Sequence, residues 1–179
     1  MKKHLQIIVG ILILFATSSL YAQSNNAIKK FTQSIRSHKN MEVSFTYQTI
    51  GDPNGTEEAK EGKAYFQDKA YKLLMEDQHA ISNGKTTWHY IIEDKEVMVG
   101  DATDDDNPFT ILDNLERDSS GITPTFDKKG DLKKLEVEID EGVKMILNII
   151  EMKFDQDLKD NFFTFDEKAY PDVEVIDMR

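Results

Sequence analysis

From Met41 the chain alternates without a break: Met41, Val43, Phe45 and Tyr47 are apolar, while Glu42, Ser44, Thr46 and Gln48 between them are polar. A period of two puts one set on each face of an extended strand, so this segment is half-buried and needs a cover on one side only. Strand-like stretches recur at residues 62–67, 70–76, 86–93, 96–100, 132–140 and 143–154, with a last short one expected at 162–165. Gly51-Asp52-Pro53-Asn54-Gly55 reads as a turn by composition, and Asn83-Gly84 marks a tight hairpin turn suited to twisted strands. Connections this short force antiparallel pairing, because parallel neighbours need long crossovers.

Two segments change the period. Ala27, Ile28, Phe31 and Ile35 recur at helical spacing with Lys29, Lys30, Gln33, Ser34 and Arg36 between them, which predicts an amphipathic helix over 24–38 with Ser24 and Asn25 as caps. After Asp104-Asp105-Asp106, Asn107 caps a short helix with Pro108 at its first position and Phe109, Leu112 and Leu115 on one face. The expected class is α+β: a single large curved antiparallel sheet with helices gathered against one face. No internal repeat is visible, and residues 23–179 read as one domain.

The start of the chain has a different character. Lys2 and Lys3 precede an apolar run from Leu5 to Ala16, then Thr17, Ser18 and Ser19, and Leu20-Tyr21-Ala22 before Gln23. This is the pattern of a secretory signal peptide cleaved near Ala22. The competing reading, an uncleaved anchor, needs about 20 apolar residues to span a bilayer, and the run is shorter. The expected location is outside the cytoplasm, where no ATP is supplied and any mechanism runs on binding energy.

Composition excludes several functions. The formal charge is −11, the wrong sign for a nucleic-acid partner, since phosphate binding rests on Lys and Arg. With no cysteine there is no disulfide, thiolate zinc site or cysteine nucleophile, and no thiol for a lipid anchor. His38, His79 and His89 lack a neighbouring ligand at metal spacing, and His89 is expected on the solvent side of its strand. Residues Asp101 to Asn107 offer oxygens to calcium but lack the glycine and distal glutamate of a helix-loop-helix site, so helix N-terminal charge is the simpler account. No Gly-x-Ser-x-Gly elbow, His-Glu-x-x-His helix or phosphate loop occurs, and the scattered carboxylates read as a solvated surface. Neither an enzyme nor a cofactor is expected.

The apolar residues at strand and helix period are read two ways: as an ordinary core, or as the lining of a dry hollow between a concave sheet and its cover. Here the chain resembles the LolA-like periplasmic lipoprotein carriers. The markers run in order over most of the mature chain: Ser44-Phe45-Thr46, Glu61-Gly62, Ser82-Asn83-Gly84-Lys85-Thr86 with Trp88 and Tyr90, Asp101-Ala102-Thr103, Asn107-Pro108-Phe109 and Phe163-Thr164-Phe165. The resemblance implies an unclosed β-barrel under a helical lid, holding the acyl chains of a lipoprotein. Its cavity-lining positions fall on Ile35, Phe45, Tyr71, Leu73, Met75, Trp88, Phe109 and Leu112. It also implies acylated lipoproteins as cargo, an inner-membrane lipoprotein-releasing transporter as donor and an outer-membrane acceptor; a monomer is expected. One departure stands out. Where the family places an Arg-Pro pair that latches the lid, this chain reads Gln67-Asp68-Lys69-Ala70. That departure gives weight to a second role for the same fold, an envelope sensor or lipid-binding module that does not deliver cargo.

Overall fold

The computed structural model describes residues 26–51, 58–103 and 121–179. The expected signal peptide, the caps Ser24 and Asn25, most of the turn at 51–55, Asp104 to Asp106 and the short helix with Phe109, Leu112 and Leu115 lie outside the described residues.

Helix α1 covers residues 26–36. It turns Ile28, Thr32 and Ile35 inward, all buried, and leaves Lys29, Lys30, Gln33 and Ser34 exposed. The Thr32 hydroxyl, which would otherwise be a costly buried donor, bonds back to the Lys29 carbonyl at 3.1 Å.

Ten strands follow among the described residues: β1 (Met41–Ile50), β2 (Lys60–Gln67), β3 (Ala70–Leu74), β4 (Gln78–Ser82), β5 (Thr86–Ile91), β6 (Glu96–Asp101), β7 (Ile122–Phe126), β8 (Leu132–Asp140), β9 (Val143–Phe154) and β10 (Glu174–Asp177). They form one sheet in the order β10-β6-β5-β4-β3-β2-β1-β9-β8-β7. Neighbours are antiparallel except β10, which runs parallel to β6. The two end strands, β10 and β7, do not pair with each other, so the sheet stays open.

Strand β1 is central, between β2 and β9, and its alternation sets the inner face. Paired residues in an antiparallel ladder share a face, so Met41, Val43, Phe45 and Tyr47 carry that face to Phe66, Ala64 and Gly62 on β2, and from there to Leu73 and Tyr71 on β3. On the other side it passes to Leu147 and Ile149 of β9. A β-bulge then intervenes: Phe45 faces Ile149 while Ser44 faces Glu151, leaving Ile150 as the extra residue, 60% exposed. The inserted residue resets the alternation, so Met152 and Phe154 also reach the inner face. Buried Ile35, Met41, Val43, Phe45, Tyr47 and Ala64 form this core, with Phe31 and Phe154 packed against it.

Two strand expectations are corrected. Residues 162–165 are a turn, closed by Phe162 N–H to the Lys159 carbonyl and Thr164 N–H to the Asn161 carbonyl. Phe163 and Phe165 are buried there by lying on the sheet's outer face rather than by joining it. The last strand is instead β10, whose four residues are all exposed, and its parallel pairing with β6 breaks the all-antiparallel expectation.

Candidate functional site

The expected lining residues do not all meet. Ile35 and Phe45 are buried in the inner core, and Leu73 and Met75 are half-buried against it. Tyr71, half-buried, shares that face through its pairing with Phe66. Trp88 does not. It pairs with Ile81 on β4 and Val99 on β6, and Ile81 pairs with Lys72, the neighbour of Tyr71 and Leu73 on the opposite face. Trp88 therefore stands on the outer side of the sheet, half-buried against Ile81, Tyr90, Val97 and Phe165. A period of two leaves no freedom here: once the hairpin registers are set, even and odd positions are sorted to different sides. His89, one residue on, is exposed on the inner side of β5, its solvated state as expected.

Gly62 explains the Glu61-Gly62 marker. It lies opposite Phe45 in the β1–β2 ladder, and a Cβ placed on it would come within 2.6 Å of the Phe45 ring. The missing side chain lets the ring lie down on the backbone of β2, which keeps Phe45 3% exposed without an added layer of side chains. Beside this pair a pocket of about 470 Å³ opens toward the outer side, where Ser44, Lys63, Leu74 and Glu151 line it together with the bulged Ile150. At the edge of this inner core Tyr47 donates from its hydroxyl to Asp77 at 3.4 Å, and burial followed by the Asp77 charge raises its pKa. Met75 is tied down by donating its N–H to the Gln78 carbonyl at 3.0 Å.

The segment Gln67-Asp68-Lys69-Ala70 is a two-residue hairpin loop. Gln67 and Ala70 pair across it, and Asp68 takes a positive φ of 49°. A short polar residue tolerates that conformation where most do not. Lys69 of this loop lies against Gly84, whose imagined Cβ would sit 3.1 Å from the Lys69 Cβ. The two hairpin ends are thus packed on one another.

The end of α1 is tied to the end of β9. His38 Nδ1 and the Asp155 carboxylate are 2.7 Å apart, the Lys39 N–H donates to the same carboxylate at 2.7 Å, and the His38 ring stacks on Phe154 with centroids 4.1 Å apart. Asn40 closes the tie twice, donating from Nδ2 to the Gln156 carbonyl and accepting from the Gln156 N–H, both at 2.8 Å. The His38 hydrogen bond, then the Lys39 N–H, hold the Asp155 pKa below its ordinary value. These bonds fix the base of the helix over the inner face.

The outer face is closed differently. Residues after β9 run back across β3 to β6, where Tyr90, Phe165 and Tyr170 pack ring on ring, with Phe165 and Tyr170 stacked at 5.1 Å. Phe162 meets Tyr65 edge-on at 4.8 Å and sits 5.0 Å from the Lys72 ammonium. Burial lowers the Lys72 pKa, with Asp166 opposing it, and burial followed by the nearby Lys72 charge lowers that of His79, which faces the Tyr170 hydroxyl at 3.4 Å.

Among the described residues no group of three or more His, Cys, Asp or Glu is placed to hold a metal ion, and no helix is long and apolar enough to cross a membrane. The inner arrangement offers half-covered apolar surface at Tyr71, Leu73 and Met75.

No protein-family model matches the sequence, and no curated protein matches it. Solved structures do. A conserved protein from Thermus thermophilus is similar at 11% identity and a TM-score of 0.51, over 88% of this chain and 99% of that one. A LolA superfamily protein from Nitrosomonas europaea is similar at 11% identity and a TM-score of 0.44, over 80% of this chain and 98% of that one. A DUF1329 family protein from Desulfovibrio piger is similar at 11% identity and a TM-score of 0.41, over 83% and 98%. At this identity the first likeness speaks to the fold alone. The fold is one large, mostly antiparallel sheet that does not close, with a single α-helix among the described residues, as expected of a LolA-like unclosed barrel.

Proposed function

We propose that the chain is a periplasmic carrier that shelters the acyl chains of lipoproteins on the inner face of the open sheet and hands them on to an outer-membrane acceptor. The observation that carries this reading is the one-sided supply of adaptable apolar surface: Tyr71, Leu73 and Met75 share the inner face with fully buried Phe45 yet are themselves only half-covered. Leucine, methionine and tyrosine present such surface with few hydrogen-bond demands. The ordered LolA-like markers in the sequence support the same reading.

The energetics require a carrier of this kind. At about 0.8 kcal/mol per methylene, an acyl chain of about 15 methylenes costs on the order of 12 kcal/mol to leave in water. Exchange of one apolar contact for another against the sheet moves such a chain without a covalent step, a cofactor or nucleotide. The acceptor need only bury the chain better than the carrier does.

Leu73→Glu places a charge in the middle of this surface, where an unpaired carboxylate is strongly disfavoured. The variant is expected to fold, because Leu73 is only half-buried, and to lose co-purifying acylated lipoprotein. A folded Leu73→Glu protein that retains its cargo would overturn the assignment. The Asp68–Lys69 loop favours a second reading, an envelope sensor that binds acyl chains and does not deliver them. Transfer from inner-membrane vesicles separates the two: a carrier releases lipoprotein to an acceptor, and a sensor holds it.

A further inference from the structure

A second hollow, of about 720 Å³, lies under α1 on the inner face, between the helix, the β7–β8 hairpin and the bulged end of β9, and Ile35 lines it. Its size falls in the range of about 300–1,000 Å³ typical of small-molecule sites. The floor is apolar: Phe31, Phe126, Leu132, Ile149, Met152 and Phe154. Phe31 and Phe126 meet edge-on at 5.7 Å across it, and Leu132 is buried beneath.

The rim has the opposite charge to the molecule. Lys30 from α1 and Lys128, Lys129 and Lys133 from the hairpin line the hollow, in a chain whose formal charge is −11. Of the three acids there, two are engaged. Asp127 accepts from the Lys129 and Asp131 N–H groups at 2.8 and 3.1 Å and lies 3.5 Å from the Lys133 ammonium. Glu151 pairs with Lys153 at 2.8 Å. That leaves Asp131 facing Lys30, Lys128 and Lys129, none of which forms an ion pair among the described residues. An oily floor under a cationic rim fits a ligand with a tail and an anionic head, and lysine is long enough to keep its ammonium in water while its stem lies on the tail.

We propose that this hollow binds a single fatty acid, its chain on Phe31, Phe126, Leu132 and Met152 and its carboxylate at Lys30, Lys128 and Lys129. The hollow shares Ile35 and the inner face with the carrier surface, so the inference rests on that reading, and what it adds is a charged head held at the β7–β8 rim.

The test is calorimetry on the full-length mature chain with dodecanoate and with dodecanol, which has the same tail and no charge. Dodecanoate is expected to bind about tenfold more tightly, the size of a charged hydrogen bond. The triple variant Lys30→Gln, Lys128→Gln, Lys129→Gln should bring the two ligands level, as should about 1 M salt, where screening extends over about 3 Å. Equal affinities in the natural chain, or a preference that survives the triple variant, would overturn the proposal. Vesicles of phosphatidylglycerol supply the other arm: if they bind through the three lysines while dodecanoate does not, the occupant is wrong. Phe126→Asp should lose dodecanoate and keep acylated lipoprotein, and Leu73→Glu should do the reverse. Loss of both ligands in Leu73→Glu would merge the two sites and refute a separate fatty-acid hollow, whatever becomes of the carrier.

Discussion

The two faces of the sheet are covered by different means. On the outer face, the segment after β9 lays Phe165 and Tyr170 on Tyr90 and buries Val97 to 0% exposure. On the inner face, one helix covers β1 and its neighbours, tied at its base by His38, Lys39 and Asn40, while Tyr71, Leu73 and Met75 stay half-open. Aromatic rings stacked in a closed cluster make a rigid wall; leucine and methionine beneath a partial cover make a surface that can exchange partners. Both faces are apolar, so hydrophobicity does not tell the structural side from the functional one. Among the described residues the kind of cover differs: rings of the segment after β9 on the outer side, helix α1 on the inner.

The largest expected effect breaks the outer side. Tyr90→Ala empties the centre of the ring cluster and should cost about 3–5 kcal/mol of stability, as large-to-small core changes do. Denaturant unfolding measures the loss, and the fraction that remains folded should still hold lipoprotein, because the inner face is untouched. On the inner side Gly62→Ala drives a methyl into the Phe45 ring, and overpacking of this kind costs about 1–3 kcal/mol. Unlike Tyr90→Ala, it should also weaken acyl-chain binding, read by lipoprotein retention at temperatures where the variant is folded.

The smallest effect concerns pH and again belongs to the outer side. The His79 pKa lies below its ordinary 6.5, so the unfolded chain binds the extra proton more readily than the folded one. His79 therefore contributes stability that is complete above that value and is lost as pH falls through the folded pKa. Melting temperatures of His79→Phe should depend less on pH between about 7 and 5 than those of the natural chain. An unchanged slope would show that the outer cover admits water at His79.

Most of the sheet was legible from alternation. The pattern of Met41 to Gln48 is what β1 uses, and β2, β3, β5, β6, β8 and β9 all fall within a few residues of expectation. The exceptions have physical causes. Strand β4 reads Gln-His-Ala-Ile-Ser, too polar and short to declare a face. Strand β7 contains Pro124, which lacks an N–H and suits only an edge, and β7 is an edge strand. The β9 bulge left a trace in the spacing of Ile149 and Met152, three apart instead of two. Residues 162–165 carried a burial signal without a pairing partner, and apolar pattern alone cannot separate the two. For the site, Ile35, Phe45, Tyr71, Leu73 and Met75 lie on one side of the sheet, whereas Trp88 required counting parity through three hairpins. The hollow beside α1 was missed because Phe126 belongs to the proline-containing strand.

The most direct measurement places a benzophenone photo-crosslinker at position 73 or at position 88 and exposes each protein to acylated lipoprotein in a transfer reaction. Adducts to the acyl chains from position 73, and none from position 88, are the expected result. Adducts from position 88 with none from position 73 would put the cargo on the outer face and contradict the account.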